Sequence, residues 1–174
     1  MAAILFILDT LVTLVVVAFL LRVILPLVRA DFRNPLGQAV LRFTGPVVLP
    51  LRRVLKPVGR FDVASIVALV LVQLVGTALL RLAAGGGFAP VDMLVVGALS
   101  LAQTVLQFYS VAVILYALLS WIAPGTASPA TRLLDAICEP LLGPVRRVLP
   151  PVAGLDLSPL FVVIALQALL ILLR

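Results

Sequence analysis

Two pairs of adjacent arginines, each with an aspartate ten residues after its first member, are the strongest candidates for chemistry in this sequence. Guanidinium groups bind phosphate through paired hydrogen bonds, and long basic side chains reach membrane headgroups. We interpret the four arginines as topology and lipid anchors, with a site for a partner or lipid headgroup as the alternative. A nucleic-acid patch is disfavoured because no aromatic residues are interleaved to stack bases. The arginines are Arg52, Arg53, Arg146 and Arg147.

The two aspartates, Asp62 and Asp156, each precede a long apolar segment directly. An acid at a helix N-terminus accepts hydrogen bonds from free backbone N–H groups and is favoured by the helix dipole. We therefore predict structural helix caps, with pairing to a nearby arginine as an added role. A functional acid is the alternative.

Enzyme chemistry finds little support in the remaining residue types. The chain has no His and one Cys, Cys138, and its only lysine is Lys56. A serine nucleophile therefore has no histidine or nearby lysine as its base. We predict no catalytic residue, no cofactor and no metal site, and we expect Cys138 to be a buried, reduced thiol.

Among the polar side chains that interrupt apolar segments, four are the strongest candidates: Asp9, Gln73, Gln103 and Gln167. The glutamines at 73 and 167 follow their aspartates by eleven residues, which is about 16 Å along a helix and close to a bilayer midplane. We expect them to hydrogen-bond between helices, and lining of a polar path is the alternative. Asp9 and Gln103 form a second polar level. Arg22, near the end of the first apolar segment, is expected to extend towards the headgroups.

The composition indicates a lipid-embedded protein. Of the 174 residues, 64% are hydrophobic and 11% are charged, and the mean hydropathy is +1.31. Soluble domains carry about a quarter charged residues, so a water-soluble enzyme is excluded. A membrane-crossing helix needs roughly 20 mostly apolar residues, and four segments qualify. These predicted spans cover about 3–28, 63–80, 95–122 and 157–173.

Basic residues give the predicted orientation. The net charge is +6, with seven basic residues between Arg29 and Arg60 and three in the loop after Trp121. By the positive-inside rule, both loops are cytoplasmic and both termini lie outside the cytoplasm, as in a multi-pass protein of a bacterial inner membrane. The first segment lacks the basic start of a signal peptide and is interpreted as a retained span.

An internal repeat at a constant offset of 94 residues organises the chain. We predict a first repeat over 1–84, a glycine-rich outer linker over 85–92 and a second repeat over 93–174. Each repeat contains two spans, so the copies have the same orientation and form parallel repeats. The matches include four prolines, the arginine pair and the aspartate; Pro35, Pro46, Pro50, Arg52, Arg53, Pro57, Asp62 and Gln73 fall on Pro129, Pro140, Pro144, Arg146, Arg147, Pro151, Asp156 and Gln167.

The loop of each repeat predicts a short helix. Asn34-Pro35 and Ser128-Pro129 place a capping residue before a first-turn proline, and Pro46 or Pro140 is expected to end the helix. The predicted fold is therefore an all-α integral membrane protein of four transmembrane helices. They form two tandem parallel-repeat hairpins, each with a short interfacial amphipathic helix in its cytoplasmic loop.

The pattern N-P…T-x-P…P-x-R-R-V-L…D, which runs from Asn34 to Asp62 in this sequence, resembles the YggT family of bacterial and plastid membrane proteins. The resemblance extends over nearly the whole chain as two family domains. The second copy departs with Ser128 and Cys138 where the first has Asn34 and Thr44. Membership implies a small integral membrane protein without established enzymatic activity, linked to osmotic or ion-stress tolerance, cell division and membrane-complex assembly.

Two functions are compatible with these patterns. The first is a non-enzymatic scaffold that presents two basic interfacial loops to anionic lipid headgroups or to a membrane-protein partner. The alternative is an ion or small-solute pathway formed by a homo-oligomer and lined by the intramembrane polar residues. A cation relay has weak support because Asp9 is the only acid within a predicted span and has no acidic counterpart in the repeat.

Overall fold

The computed structural model describes residues 1–28, 35–58, 61–87, 89–122, 128–148 and 156–173. These residues form six α-helices, and apart from one isolated bridge between Val58 and Phe61 they contain no β-structure. The helices are α1 (Ala2–Leu27), α2 (Pro35–Val54), α3 (Val63–Ala83), α4 (Pro90–Ile122), α5 (Pro129–Val148) and α6 (Ser158–Leu172).

Three helices, α1, α3 and α4, are long and apolar enough to cross a membrane. The fourth predicted span is also an apolar helix, α6, but its 15 residues fall short of the roughly 20 that a perpendicular crossing needs. The large apolar side chains on the outside of these helices, such as Phe6 and Ile171, are exposed. An apolar outer surface suits lipid and would be a liability in water.

The third predicted span is one continuous helix of 33 residues, and the region 91–98 belongs to it. It begins at Pro90, inside the segment assigned from sequence to the linker. Proline fits the first turn of a helix because its missing N–H has no partner there, and Asp92 in the same turn suits the helix dipole.

The helices in the two loops are longer than predicted. The expectation that Pro46 and Pro140 end them is wrong: α2 and α5 each run for 20 residues through two prolines. A proline removes a bond to the carbonyl four residues earlier. Within each helix the two prolines are spaced by four residues and lie on an exposed face, where water can hydrate the freed carbonyl groups.

The start of α5 confirms the predicted cap at Ser128. The Ser128 hydroxyl accepts a hydrogen bond from the Thr131 N–H at 3.0 Å, and the Thr131 hydroxyl accepts one from the Ser128 N–H at 2.9 Å. This reciprocal pairing satisfies two backbone donors that a helix start leaves free. The corresponding residue in the first repeat, Asn34, lies outside the described residues.

The same pairs of helices pack in each half of the chain. α1 packs against α2 and α3, and α4 packs against α5 and α6. The halves meet where α4 packs against α3 and α1. We call the end of the molecule that carries α2 and α5 the loop side, and the opposite end, where α3 is joined to α4, the linker side.

Glycines allow close helix contacts at two points. A Cβ atom at Gly76 of α3 would collide with Cγ1 of Val12 in α1, and one at Gly97 of α4 would lie 2.8 Å from Cδ2 of Leu74 in α3. The first contact lies within the first half and the second joins the halves. Both contacts lie in the linker-side half of α3.

Candidate functional site

The first arginine pair is divided between two roles. Arg52, in the last turn of α2, forms an ion pair with Asp62, which occupies the N-cap position of α3 but does not make the capping hydrogen bond predicted for its side chain. The Asp62 carboxylate also accepts a hydrogen bond of 2.6 Å from the Ser65 hydroxyl. Arg52, Asp62 and Ser65 form what we call the first clasp, which fastens the end of the loop helix to the start of the following helix.

The second repeat has a matching second clasp, formed by Arg146, Asp156, Glu139 and Tyr116. Nε of Arg146 donates to Asp156 at 2.8 Å, Nη1 to Glu139 at 2.8 Å, and Nη2 to the Tyr116 hydroxyl at 2.7 Å. The guanidinium carbon lies 5.5 Å from the centre of the Tyr116 ring, within cation–π range. The Asp156 carboxylate also accepts the backbone N–H of Ser158, the first residue of α6, at 2.9 Å.

Both aspartates are held in their charged form. Burial alone would raise the pKa of Asp62, but hydrogen bonds from Arg52 and Ser65 outweigh it and lower that pKa below its usual value. Burial likewise opposes ionisation of Asp156, and its pKa is lowered by hydrogen bonds from Ser158 and Arg146. Each carboxylate therefore balances the charge of its arginine at neutral pH.

The second arginine of each pair, Arg53 or Arg147, is exposed. Adjacent residues on a helix point about 100° apart, so only one of the pair can face the following helix. Arg42, Lys56 and Arg132 are also exposed. The described part of each loop thus keeps basic side chains outside its clasp.

Arg22 does not extend towards the headgroups as expected; it is 4% exposed and lies among α1, α2 and α3. Its Nη1 donates to the Thr44 hydroxyl at 2.7 Å and to the Leu41 carbonyl at 3.2 Å, and its Nε donates to Ser65 at 3.2 Å. The packing of α2 and α3 against α1 supplies these acceptors. Ser65 joins Arg22 to the first clasp.

Sequence reasoning missed this role of Arg22 and the roles of Tyr116 and Glu139. The internal repeat could have indicated these roles, because the 94-residue offset places Arg22 on Tyr116. Each of these two side chains binds groups at the helix junction of its own repeat. The same offset places Thr44 on Cys138, and both are fully buried. Cys138 is a free, buried thiol as predicted, and burial raises its pKa to about 12.

Three of the four intramembrane polar residues meet in a crevice among α1, α3 and α4. It has a volume of about 340 Å³, and Asp9, Gln73 and Gln103 line it. Arg81 and Ala84 line it towards the linker side. Val16 is the residue of α1 nearest the loop side in its lining, and Phe19, Leu20 and Leu69 of the buried core lie one turn further towards that side. Among the described residues, the loop-side end of the crevice is therefore blind.

The glutamines do not hydrogen-bond to each other between the halves. The Gln73 amide donates to Thr77 of its own helix at 3.3 Å, and the Gln103 amide donates to the Leu173 carbonyl beyond α6 at 2.9 Å. Gln167 lies apart from the crevice, on the exposed surface of α6. Among the described residues, no group of three or more His, Cys, Asp or Glu side chains has an arrangement suited to a metal ion.

Comparison with known proteins accounts for the repeated architecture. The CCB3/YggT family matches residues 1–83 and again 95–174, which together cover nearly all of the sequence. This chain belongs to the CCB3/YggT family. The two matches agree with two tandem family domains, and the arginine and the aspartate of the clasps fall in equivalent places in both.

Relatives in the family match along most of their length. An uncharacterised protein of Pseudomonas aeruginosa is 42% identical over 168 residues, covering 95% of this chain and 85% of the relative. YggT of Escherichia coli K12 is 33% identical over 165 residues, covering 94% and 85%. An uncharacterised protein of Haemophilus influenzae is 30% identical over 158 residues, covering 91% and 84%. None of these names is that of an enzyme, and no solved structure matches the chain.

Proposed function

We propose that this chain is a non-enzymatic scaffold of a bacterial inner membrane that presents two clasped, basic loop helices to anionic lipid headgroups or to a membrane partner. The division of the arginine pairs carries the proposal. Arg52 and Arg146 hold the loop helices in place, which leaves Arg53 and Arg147 exposed on helices of fixed position. Assembly of membrane complexes and tolerance of osmotic stress are the cellular roles that fit such a scaffold.

The proposal includes four membrane crossings with both loops in the cytoplasm. The clustering of basic residues in the loops supports this orientation through the positive-inside rule. α6 spans about 22 Å at 1.5 Å per residue. A helix of this length can cross where the bilayer thins locally, at a modest energetic cost.

The exposed basic side chains of the loop helices favour the binding of phosphate groups. Arginine forms paired hydrogen bonds with phosphate oxygens, and a basic residue near an anionic membrane surface contributes about 1 kcal/mol, or roughly fivefold in binding. The positive electrostatic potential of the two exposed arginines is increased by three further exposed basic residues, Arg42, Lys56 and Arg132. A negatively charged protein surface at the same depth would use the same side chains.

The test is lipid retention by the purified protein. Protein reconstituted with equal phosphatidylglycerol and phosphatidylcholine is re-extracted, and the lipids that remain bound are quantified by mass spectrometry. We expect wild type to retain phosphatidylglycerol preferentially, and the variant Arg53→Gln/Arg147→Gln to lose roughly fivefold of that preference per arginine removed.

The matched control is Arg52→Gln/Arg146→Gln, which removes the same charge from the same two helices. This control should lower thermal stability more than lipid preference, because its arginines are engaged with carboxylates. Equal retention of the two lipids by wild type, or an equal loss in both variants, would contradict lipid recognition by the exposed arginines.

The polar crevice favours a second candidate, an ion or solute pathway. Its blind end requires an opening motion or an oligomer before it can conduct. Cation flux through proteoliposomes tests it. Gln73→Leu should then abolish flux, whereas Leu169→Ala, on the exposed surface of α6, should preserve it; flux no greater than in empty vesicles rejects this candidate.

A further inference from the structure

One polar side chain of the predicted spans, that of Gln167, lies on the apolar outer surface of a single chain. Gln167 lies on the exposed surface of α6, near its middle, and no partner for its amide lies among the described residues. An unbonded amide facing hydrocarbon costs several kcal/mol. Its counterpart in the first repeat, Gln73, is 6% exposed and hydrogen-bonded. The difference between the two indicates that the surface around Gln167 is covered in the assembled protein.

The repeat identifies what covers Gln73. α4 of the second repeat packs against α3, and this contact encloses Gln73 together with Thr77, which is 5% exposed. The residue equivalent to Thr77 in the second repeat is Ile171, and it is 70% exposed. The face of α6 that carries Gln167 and Ile171 is thus equivalent to the face of α3 that α4 covers. No helix of the described chain covers this face of α6.

The matching half of this contact is also free, on α1. The face of α4 that meets α3 includes Gly97 and Thr104, and Thr104 is 9% exposed. Their equivalents in α1 are Ala3 and Thr10, and both are exposed. Thr10 and Thr104 each donate to the carbonyl four residues earlier, so the two helices share local structure and differ in what covers them.

We propose that the exposed faces of α6 and α1 bind each other in a second copy of this chain, repeating between chains the contact that α3 and α4 make within one. Two copies then close into a ring of four repeats, in which both free faces of each chain are used. The inference does not depend on the scaffold function. It rests on the continuity between an interface already formed inside the chain and two unpartnered faces equivalent to its halves.

The second copy supplies the polar groups that Gln167 lacks. Gln103 and Thr104 line the crevice with Gln73. The residues equivalent to Gln103 and Thr104 in the first repeat are Asp9 and Thr10. In the proposed contact, α1 of the second copy therefore brings a carboxylate and a hydroxyl towards Gln167. This places Asp9, which also lines the crevice of its own chain, beside an amide donor of the partner chain, and each interface completes a further polar crevice from two chains.

Disulfide trapping tests the proposed contact. Within the chain, Gly97 lies close to Leu74, and the equivalent residues are Ala3 and Ala168. In the proposed dimer, Ala3 of one chain therefore faces Ala168 of the other. Ala3→Cys and Ala168→Cys are made in separate chains with different tags, each in a Cys138→Thr background that copies the equivalent Thr44. After coexpression and mild oxidation of membranes, we expect a covalent dimer that carries both tags.

The control replaces Ala168→Cys with Leu169→Cys. Leu169 is 48% exposed, and its equivalent, Val75, stays 58% exposed beside the internal contact, so it should face lipid in the dimer. Crosslinking to Ala3→Cys no stronger than the Leu169→Cys control overturns the proposal. A chain with both Ala3→Cys and Ala168→Cys should stop at a dimer, and a ladder of larger products overturns the closed ring.

The energetic contribution of Gln167 gives an independent readout. Dimerisation in proteoliposomes is followed by energy transfer between labelled chains. Gln167→Leu should weaken association about 3- to 20-fold, the range expected for loss of an interhelical hydrogen bond. Leu169→Ala should leave association unchanged, and association unaffected by Gln167→Leu would show that the amide does not lie in the contact.

Discussion

Single side chains decide how each loop helix is attached, and the two clasps reach the same result with different partners. Asp62 is the carboxylate that Arg52 contacts, whereas Arg146 contacts Asp156, Glu139 and Tyr116. Loss of a carboxylate should therefore matter more in the first clasp. The difference is measurable because the single cysteine is buried in α5 and becomes reactive when the protein unfolds.

Asp62→Asn should destabilise the protein by about 1–2 kcal/mol, the value of a charge-assisted hydrogen bond at a partly exposed site. Asp156→Asn should cost less, because Arg146 keeps Glu139 and Tyr116 and the amide oxygen can still accept the Ser158 N–H. The measurement is thermal labelling of Cys138 by a maleimide dye. Equal losses in the two variants would mean that the additional partners of Arg146 contribute nothing.

Arg22→Ala should cost about 2–4 kcal/mol, since it removes buried packing and leaves the Thr44 hydroxyl and the Ser65 hydroxyl without their donor. Arg22→Tyr should cost less, because the repeat places Tyr116 at the equivalent position. The same labelling assay compares them. If Tyr is no better than Ala, the two junctions are less alike than their geometry indicates.

Among elements, the contacts between helices differ in how much change they tolerate. Gly76 approaches Val12, a β-branched side chain with a stiff χ1, whereas Gly97 approaches the flexible end of Leu74. Close packing leaves little room at the first position. The second position is occupied by Ala3 in the equivalent helix of the first repeat.

Gly76→Ala should destabilise the protein by about 1–3 kcal/mol, the usual cost of overpacking. Gly97→Ala should be nearly neutral, because Leu74 can rotate away and alanine favours helix. Chemical denaturation followed by helix circular dichroism measures both. A neutral Gly76→Ala would mean that α1 and α3 shift apart freely.

Helix positions were predictable from sequence to the extent that they depend on local signals. Apolar length located α1, α3 and α4, and the Ser128-Pro129 pair located the start of α5. The continuation of α2 beyond Pro46 was not predictable, because it depends on which face of the helix meets water. The burial of Arg22 depends on the packing of α2 and α3 against α1, which place Leu41, Thr44 and Ser65 beside it. The meeting of Asp9, Gln73 and Gln103 needed the packing of α1, α3 and α4, which no local pattern contains.

The molecule as a whole is an apolar helix bundle with basic loop helices at one end. The halves share their internal packing but are not equivalent at their edges, since α4 is covered on more sides than α1. The short α6 is the element on which the number of membrane crossings depends.

Reporter fusions should place the C-terminus opposite the loops. Alkaline phosphatase fused after Arg174 is expected to be active and a fluorescent protein dark, because both termini are predicted outside the cytoplasm. Fusions after Ala130, at the start of α5, should give the reverse pattern. The same pattern at both sites would show that α6 does not cross and that the chain has three crossings.

The clasps also bear on how the protein is made. Each joins an arginine to an aspartate ten residues later in the chain, so closing it costs little loop entropy. A clasp can therefore form as soon as the start of the second helix of its repeat leaves the ribosome, before that helix has been inserted. Each repeat would then fold as a unit during synthesis, beginning with the N-terminal one. The first repeat would already be folded when the second leaves the ribosome.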